Sequence, residues 1–186
     1  MFKESFGERG SQFNLDPLNE QRVEQTIASF LERYKSHSKG FFILGPSGCG
    51  KSHFIRAQQE LDWIDGDEIW TASGAHPERA WWLEELPVIE AIDARSDTVT
   101  KKAKERGLWI IGASNNWLPP DAIVIPDWEE HKRMIRYREE HAYDGGATSD
   151  RLDQVLSHRA WIAEWEAKGV PRFATVAEAA QFLIAR

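Results

Sequence analysis

Eight consecutive residues, Gly45-Pro46-Ser47-Gly48-Cys49-Gly50-Lys51-Ser52, match the pattern G-x-x-x-x-G-K-[ST] at every fixed position. The spacing has a physical purpose. Glycines let successive backbone N–H groups curl round a polyphosphate, and the positive end of a helix beginning at about Lys51 adds to the pull on its oxygens. Lys51 is then placed to bridge terminal phosphates and Ser52 to ligate Mg²⁺, so ATP and Mg²⁺ are the expected cofactors. Cys49 lends its backbone to the loop; its thiol is not needed, although oxidation there would obstruct phosphate entry.

A pair of acids follows closely. Trp63-Ile64-Asp65-Gly66-Asp67 is a short apolar run ending in two carboxylates one residue apart, read as a strand and its loop. Two acids at a strand's carboxyl end can divide the work, one in the metal shell and one on a substrate hydroxyl. Motor and switch NTPases instead commonly carry an acid at the end of a later buried strand, where it holds Mg²⁺ and positions water. Here the later strand Leu108-Trp109-Ile110-Ile111 runs into Gly112-Ala113-Ser114-Asn115-Asn116, which holds no carboxylate. That contrast points to transfer of phosphate to an alcohol.

The two motifs resemble those of the small P-loop kinases, a family that includes shikimate, gluconate and adenylylsulfate kinases and, more distantly, nucleoside monophosphate kinases. Their D-x-D or D-G-D segment follows the second strand. In element order the resemblance runs over most of Phe41 to Arg186. It implies that Asp65 lies near Mg²⁺, that Asp67 meets the acceptor hydroxyl as general base, and that a mobile lid carries arginines onto the transferring phosphate. The matching lid spans about 136–151; the stretch from Arg133 and Arg136 through Arg138 and Gly145-Gly146 to Arg151 supplies its cations and hinge. Arg138 and Arg151 are the expected catalytic pair, because guanidinium forks suit developing phosphoryl charge. The run Lys132 to Arg138 equally fits a solvated helix face paired with Glu129, Glu130, Glu139 and Glu140.

In such a kinase the acceptor lies between the D-G-D loop and the next helices, making Glu68, Trp70, His76, Arg79, Trp81, Trp82, Asn115, Asn116 and Trp117 candidate walls. Asp67, Trp70, Arg79, Trp82, Asn115 and Asn116 are the expected substrate contacts. Flat aromatics and amides suit a nucleobase, which offers faces for stacking and an edge for hydrogen bonds, although tryptophans suit a core as well. The pattern is similar to that of bacteriophage P-loop kinases that phosphorylate the 5-hydroxymethyl group of 5-hydroxymethyluracil in DNA, which implies a base drawn out of the stack to reach Asp67. A DNA substrate needs a local phosphate track, for which Lys101, Lys102, Lys104 and Arg106, or the helix carrying Arg133 to Arg138, are candidates. A free nucleoside, nucleotide or small polyol needs none. A reading of another class is an ATP-binding adaptor that hydrolyses slowly and acts through partners.

Composition bounds these readings. The 186 residues are 41% hydrophobic and 28% charged, the profile of one globular domain. No apolar run approaches the roughly 20 residues of a membrane span, and the charged start Met1-Phe2-Lys3-Glu4-Ser5 does not read as a secretory signal, so a cytoplasmic location without membrane partners is expected. One cysteine excludes a disulfide framework, and the six histidines lack the spacing of a zinc site. A formal charge of −7 provides no global attraction to nucleic acid. Nine tryptophans make the residue several times commoner than usual, for a core or for stacking.

The elements that must position the motifs follow from apolar periodicity. Residues 1–39 read as an irregular arm and a helix starting at Asp16-Pro17, with Val23, Ile27, Phe30, Leu31 and Tyr34 on its buried face; 40–186 read as the P-loop kinase domain. Strands are predicted at Phe41–Leu44, Trp63 to Asp65, Leu108–Gly112, Ala122–Ile125 and Val170–Ala174. Helices are predicted from Lys51, over Pro77–Leu86, from Pro87 to the stop at Gly107, from Asp127 to His141, over Asp150–Lys168 and from a capping box at Thr175-Val176-Ala177-Glu178. Alternating strands and helices of these lengths give an α/β doubly wound sheet of about five parallel strands, a P-loop NTPase-type fold with a helical lid.

Overall fold

Short runs of β-branched and aromatic residues form the strands, and helices lie between successive strands except the third and fourth, which a helix-free stretch over 113–121 connects. In the computed structural model, which describes residues 18–58, 60, 62–75, 86–141 and 146–186, the strands are β1 Phe41–Leu44, β2 Trp63–Asp65, β3 Trp109–Gly112, β4 Ala122–Val124 and β5 Arg172–Phe173. The helices are α1 Glu20–Arg33, α2 Lys51–Ala57, α3 Gly66–Ala72, α4 Leu86–Glu105, α5 Trp128–His141, α6 Leu152–Ala167 and α7 Val176–Ile184, with a 3-10 turn at Ser149–Arg151. All five strands are parallel, in the order β2-β3-β1-β4-β5, so the predicted sheet is present. Leu44 pairs with Gly112 and Asp65 with Ile111, which brings the carboxyl ends of β1, β2 and β3 to one edge.

Strand alternation sorts the core into two faces. Phe42, Leu44, Ile64, Ile110 and Ile123 pack with Val23, Ile27 and Phe30 of α1, Val99 and Ala103 of α4, and Ile162 and Trp165 of α6. Phe41, Ile43, Trp63, Trp109, Ile111 and Val124 pack with Val176, Ala179, Ala180 and Leu183 of α7. Both faces are covered, as a parallel sheet requires. Each fully buried aliphatic side chain contributes about 2 kcal/mol of transfer free energy. The tryptophans divide between the two expected uses: Trp63, Trp109 and Trp165 are core, whereas Trp70 and Trp161 line the cleft described below.

Two predicted boundaries are corrected. Helix α1 begins at Glu20, because the Asn19 side chain accepts the Arg22 N–H at 2.9 Å and caps it there; Asp16-Pro17 lies outside the described residues. The D-G-D segment is not a loop. Asp65 ends β2 and caps α3 in one step, its Oδ1 accepting the Asp67 N–H at 3.2 Å, so the helix starts at Gly66. Gly66 is required there: a Cβ would come within 2.8 Å of the Gly112 Cα at the end of β3. The helix predicted over Pro77–Leu86 lies almost wholly outside the described residues, and so does Gly145 of the predicted hinge. The capping box at Thr175 and Glu178 is formed as predicted, and no described helix is long and apolar enough to cross a membrane.

Candidate functional site

The octapeptide joins β1 to α2 as a tight loop at the carboxyl edge of the sheet. Gly48 and Gly50 have φ of 82° and 91°, a left-handed conformation that L side chains adopt only with strain. At Gly48 a Cβ would also stand 2.7 Å from Ile135 Cγ1, while at Gly50 it would meet open space. Lys51 folds back across the loop, its ammonium donating to the carbonyls of Gly45 and Pro46 at 3.0 and 2.8 Å. Cys49 is buried beneath the loop, against the position a Gly45 Cβ would take. Burial pushes its thiol pKa up and keeps the sulfur protonated, so the thiol is packing.

The loop is held from outside by residues the sequence did not single out for it. His131 of α5 is fully buried, with Nε2 2.9 Å from the Ser47 carbonyl and Nδ1 2.8 Å from Arg159 Nη1. Because the guanidinium can only donate, Nδ1 accepts and Nε2 carries the proton to Ser47. Burial holds this imidazole neutral, its pKa lowered to about 4. Arg159 is anchored in turn to the Pro126 carbonyl at 2.8 Å. On the other side, Ser47 Oγ accepts the Ala147 N–H at 3.0 Å, and Arg138 donates to the Ala147 carbonyl at 2.9 Å. The described part of the predicted lid therefore rests on the loop.

Asp65 and Ser52 meet across the loop and the second strand. Ser52 Oγ donates to Asp65 Oδ2 at 2.9 Å, so a hydroxyl and a carboxylate oxygen from two motifs share one point. Hard oxygen donors in this number suit Mg²⁺, which takes one or two protein groups and completes its shell with phosphate and water. The open space over Gly50 and the ammonium of Lys51 suit a polyphosphate at the same place. Among the described residues no group of three or more His, Cys, Asp or Glu could hold an ion by itself.

A cleft of about 1190 Å³ opens beside this point. Its walls include Ser47, Gly48, Gly50, Lys51 and Ser52 of the loop, Asp65, Asp67 and Trp70 of the acidic segment, Asn115 and Asn116 after β3, and Arg138 and Arg151. Gly45, Pro46 and Cys49 form the base of the loop rather than its lining. Arg133 also reaches the wall, paired with Glu130, whereas Arg136 is exposed and is not part of it. Arg79, Trp82, His76 and Trp81 lie outside the described residues.

Two expected acceptor walls, Glu68 and Trp117, and one expected substrate contact, Asn115, are corrected. Glu68 is turned to α1, bound by Arg33 at 2.6 Å and by the Tyr34 hydroxyl, and burial together with this carboxylate raises the Tyr34 pKa. Trp117 is exposed over Lys101 and borders a separate groove between α1 and α4. Asn115 does reach the cleft, but its amide is committed to structure: Nδ2 donates to the Leu118 carbonyl at 2.6 Å and Oδ1 accepts from Trp165 Nε1 at 3.3 Å.

Sequence reasoning missed two aspartates of α4. Asp93 and Asp97 are 6% and 1% exposed, one turn apart on the stripe that Ile92 and Val99 bury. Asp97 Oδ2 accepts three backbone N–H groups, of Asn116, Trp117 and Leu118, at 2.9, 2.6 and 2.8 Å, which shapes the turn after β3. Asp93 lines the cleft and accepts from Ser114 Oγ at 2.6 Å. Burial raises the pKa of both, Asp93 to about 7. The signal was present: carboxylates at helical spacing on an apolar stripe stay buried only with partners. His158, also on the cleft wall, donates to the Ala113 carbonyl at 2.6 Å, its pKa lowered to about 4 by burial. Comparison of the chain with protein-family models, with curated proteins and with solved structures gave no match in any of the three.

Proposed function

We propose that this chain is an ATP- and Mg²⁺-dependent kinase that transfers the γ-phosphate to an alcohol. The observation that carries the reading is the 2.9 Å hydrogen bond between Ser52 and Asp65, with Asp67 two residues on and lining the same cleft. Bound between these groups, Mg²⁺ would neutralise charge on the transferring phosphate. The Gly48 and Gly50 backbone and Lys51 cradle the anion, and Asp67, in the first turn of α3, takes the proton from the attacking hydroxyl. Arg138 and Arg151, which line the cleft, are the arginines assigned to the transferring group.

For the acceptor, the disposition of charge favours a free nucleoside, nucleotide or small polyol over DNA. Lys102 and Arg106 pair with Glu24, Lys104 with Asp121, and Lys132 and Arg133 with Glu129 and Glu130. Cations engaged in this way have fewer counterions to release to a phosphate backbone. The 5-hydroxymethyl group of 5-hydroxymethyluracil in phage DNA remains the sharpest acceptor implied by the sequence resemblance. The test is γ-labelled ATP offered with hydroxymethylated DNA, nucleosides, nucleoside monophosphates and sugars, scored for where the label lands. Label on an alcohol supports the reading; acceptor-independent release of phosphate from ATP favours the adaptor class instead.

A further inference from the structure

Resting on the ATP-binding part of that reading, we propose that His131, its tautomer set by Arg159, is a positioning residue for the triphosphate: it holds the Ser47 carbonyl away from the anion and so turns the Gly48 N–H toward it. The C=O and N–H of a trans peptide point in opposite directions, and the Ser47–Gly48 bond is trans. His131 Nε2 lies 2.9 Å from the Ser47 carbonyl oxygen, so the Gly48 N–H is turned away from that ring. It has no hydrogen-bond partner among the described residues, and Gly48 lines the cleft together with Gly50, Lys51 and Ser52. A loop amide in this position completes its bonding with an anion. Glycine offers little resistance to a peptide flip, since no Cβ restricts its φ, and the flipped form would present the Ser47 oxygen to the phosphate. The orientation has to be held from outside the loop.

Three elements supply that hold. His131 is fully buried in α5, and its Nδ1 lies 2.8 Å from Arg159 Nη1 of α6. The other arm of the same guanidinium, Nη2, donates to the Pro126 carbonyl at 2.8 Å, two residues past the end of β4. Trp128 fills the space between them: its ring meets the imidazole edge-on, with centroids 6.1 Å apart, and lies under the guanidinium at 5.2 Å. An arginine only donates, so Nδ1 must accept, and the single proton of the neutral ring is left on Nε2, facing Ser47. The opposite tautomer would set a lone pair against the Ser47 oxygen and release the peptide. The chain of contacts from Pro126 through Arg159 and His131 to Ser47 thus ties the loop to the sheet at the one carbonyl whose direction decides what Gly48 offers.

Two conservative variants separate positioning from packing. The amide nitrogen of Gln reaches about as far as Nε2 and can still donate to Ser47, whereas that of Asn reaches only as far as Nδ1 and cannot. Binding of ATP and of inorganic tripolyphosphate, each with Mg²⁺ and without any acceptor, is measured by calorimetry near neutral pH, and urea unfolding is recorded beside it. His131→Asn should weaken both polyphosphates by about 10- to 100-fold, the worth of one charge-assisted hydrogen bond. His131→Gln should retain most of the wild-type affinity, whatever the order of the two variants in stability. In the wild-type protein, nitrogen-15 NMR should show His131 protonated on Nε2, and the Gly48 amide proton should move downfield when tripolyphosphate is added. Equal losses in the two variants, a proton on Nδ1, or a Gly48 amide that tripolyphosphate leaves unmoved overturns the inference; the NMR measurements decide the matter should His131→Asn fail to fold. Wild-type protein that binds neither polyphosphate overturns this inference and the kinase reading together. Binding with the expected pattern but no transfer to any alcohol would sink the kinase reading and leave the role of His131 standing.

Discussion

The loop side of the cleft and its α3–α4 side are built differently. On the loop side the chemistry-bearing groups are nearly contiguous: Gly48, Gly50, Lys51 and Ser52 lie within one octapeptide, and its shape follows from two left-handed glycines. On the other side Trp70, Asp93 and Ser114 come from α3, α4 and the turn after β3 and meet only through packing. The first is a motif that backbone conformation alone can write. The second depends on desolvation, which no short stretch of chain displays. Supporting residues show the same division, since His131 and Arg159 hold the loop from two different helices.

Substitutions that remove charge at the shared point between the two sides should have the largest effects. Asp67→Asn is expected to lower phosphate transfer by about 10²- to 10⁴-fold with ATP affinity nearly unchanged; wild-type transfer rates in that variant would take Asp67 out of the chemistry. Lys51→Ala should cost about 10²- to 10³-fold in turnover, with the fold retained by circular dichroism. Gly48→Ala tests the loop side alone: the left-handed backbone and the approach to Ile135 should destabilise the protein by about 1–3 kcal/mol in urea melts and weaken ATP binding.

A smaller effect separates the two sides by pH. His131 and His158 titrate near 4 in the folded chain against 6.5 for the ordinary imidazole. Unfolded chains therefore hold more protons between about pH 6.5 and 4, and stability falls as pH drops through that window. Asp93 acts in the opposite sense: raised from 3.8 to about 7, it contributes stability at low pH that is lost as pH rises across that interval. His131→Gln should flatten the acid-side loss in melting temperature, and Asp93→Asn should flatten the opposing trend. The smallest effect is expected at Glu68, where substitution by Gln should cost about 1 kcal/mol or less through the exposed Arg33 pair and leave transfer rates unchanged. A large loss of transfer there would mean that the acidic segment works as a triplet rather than a pair.

Much of the fold was legible beforehand because strands with continuous apolar runs and helices with periodic apolar faces carry their burial in their own pattern. Leu108–Gly112, the stripe of α1 and the capping box at Thr175 are examples. The boundaries that moved did so for local hydrogen-bonding reasons, with Asn19 capping α1 and Asp65 capping α3. Glu68 shows the other kind of error. It stands beside Asp67 in sequence, but α3 turns it onto Arg33 and Tyr34, and helical periodicity could have suggested the change of face but not the partners.

By itself the amino-acid sequence determined the strand–loop–helix unit at Gly45–Ser52 and the parallel sheet beneath it, because glycine conformation, strand length and apolar period act over a few neighbouring residues. Only the tertiary structure decided which acids face the cleft and which are consumed in holding it. Asp65 and Asp67 reach it, Glu68 does not, and Asp93 borders it with a carboxyl whose pKa burial raises to about 7. Solvent exclusion and partner geometry set those outcomes, and both are properties of elements packed together.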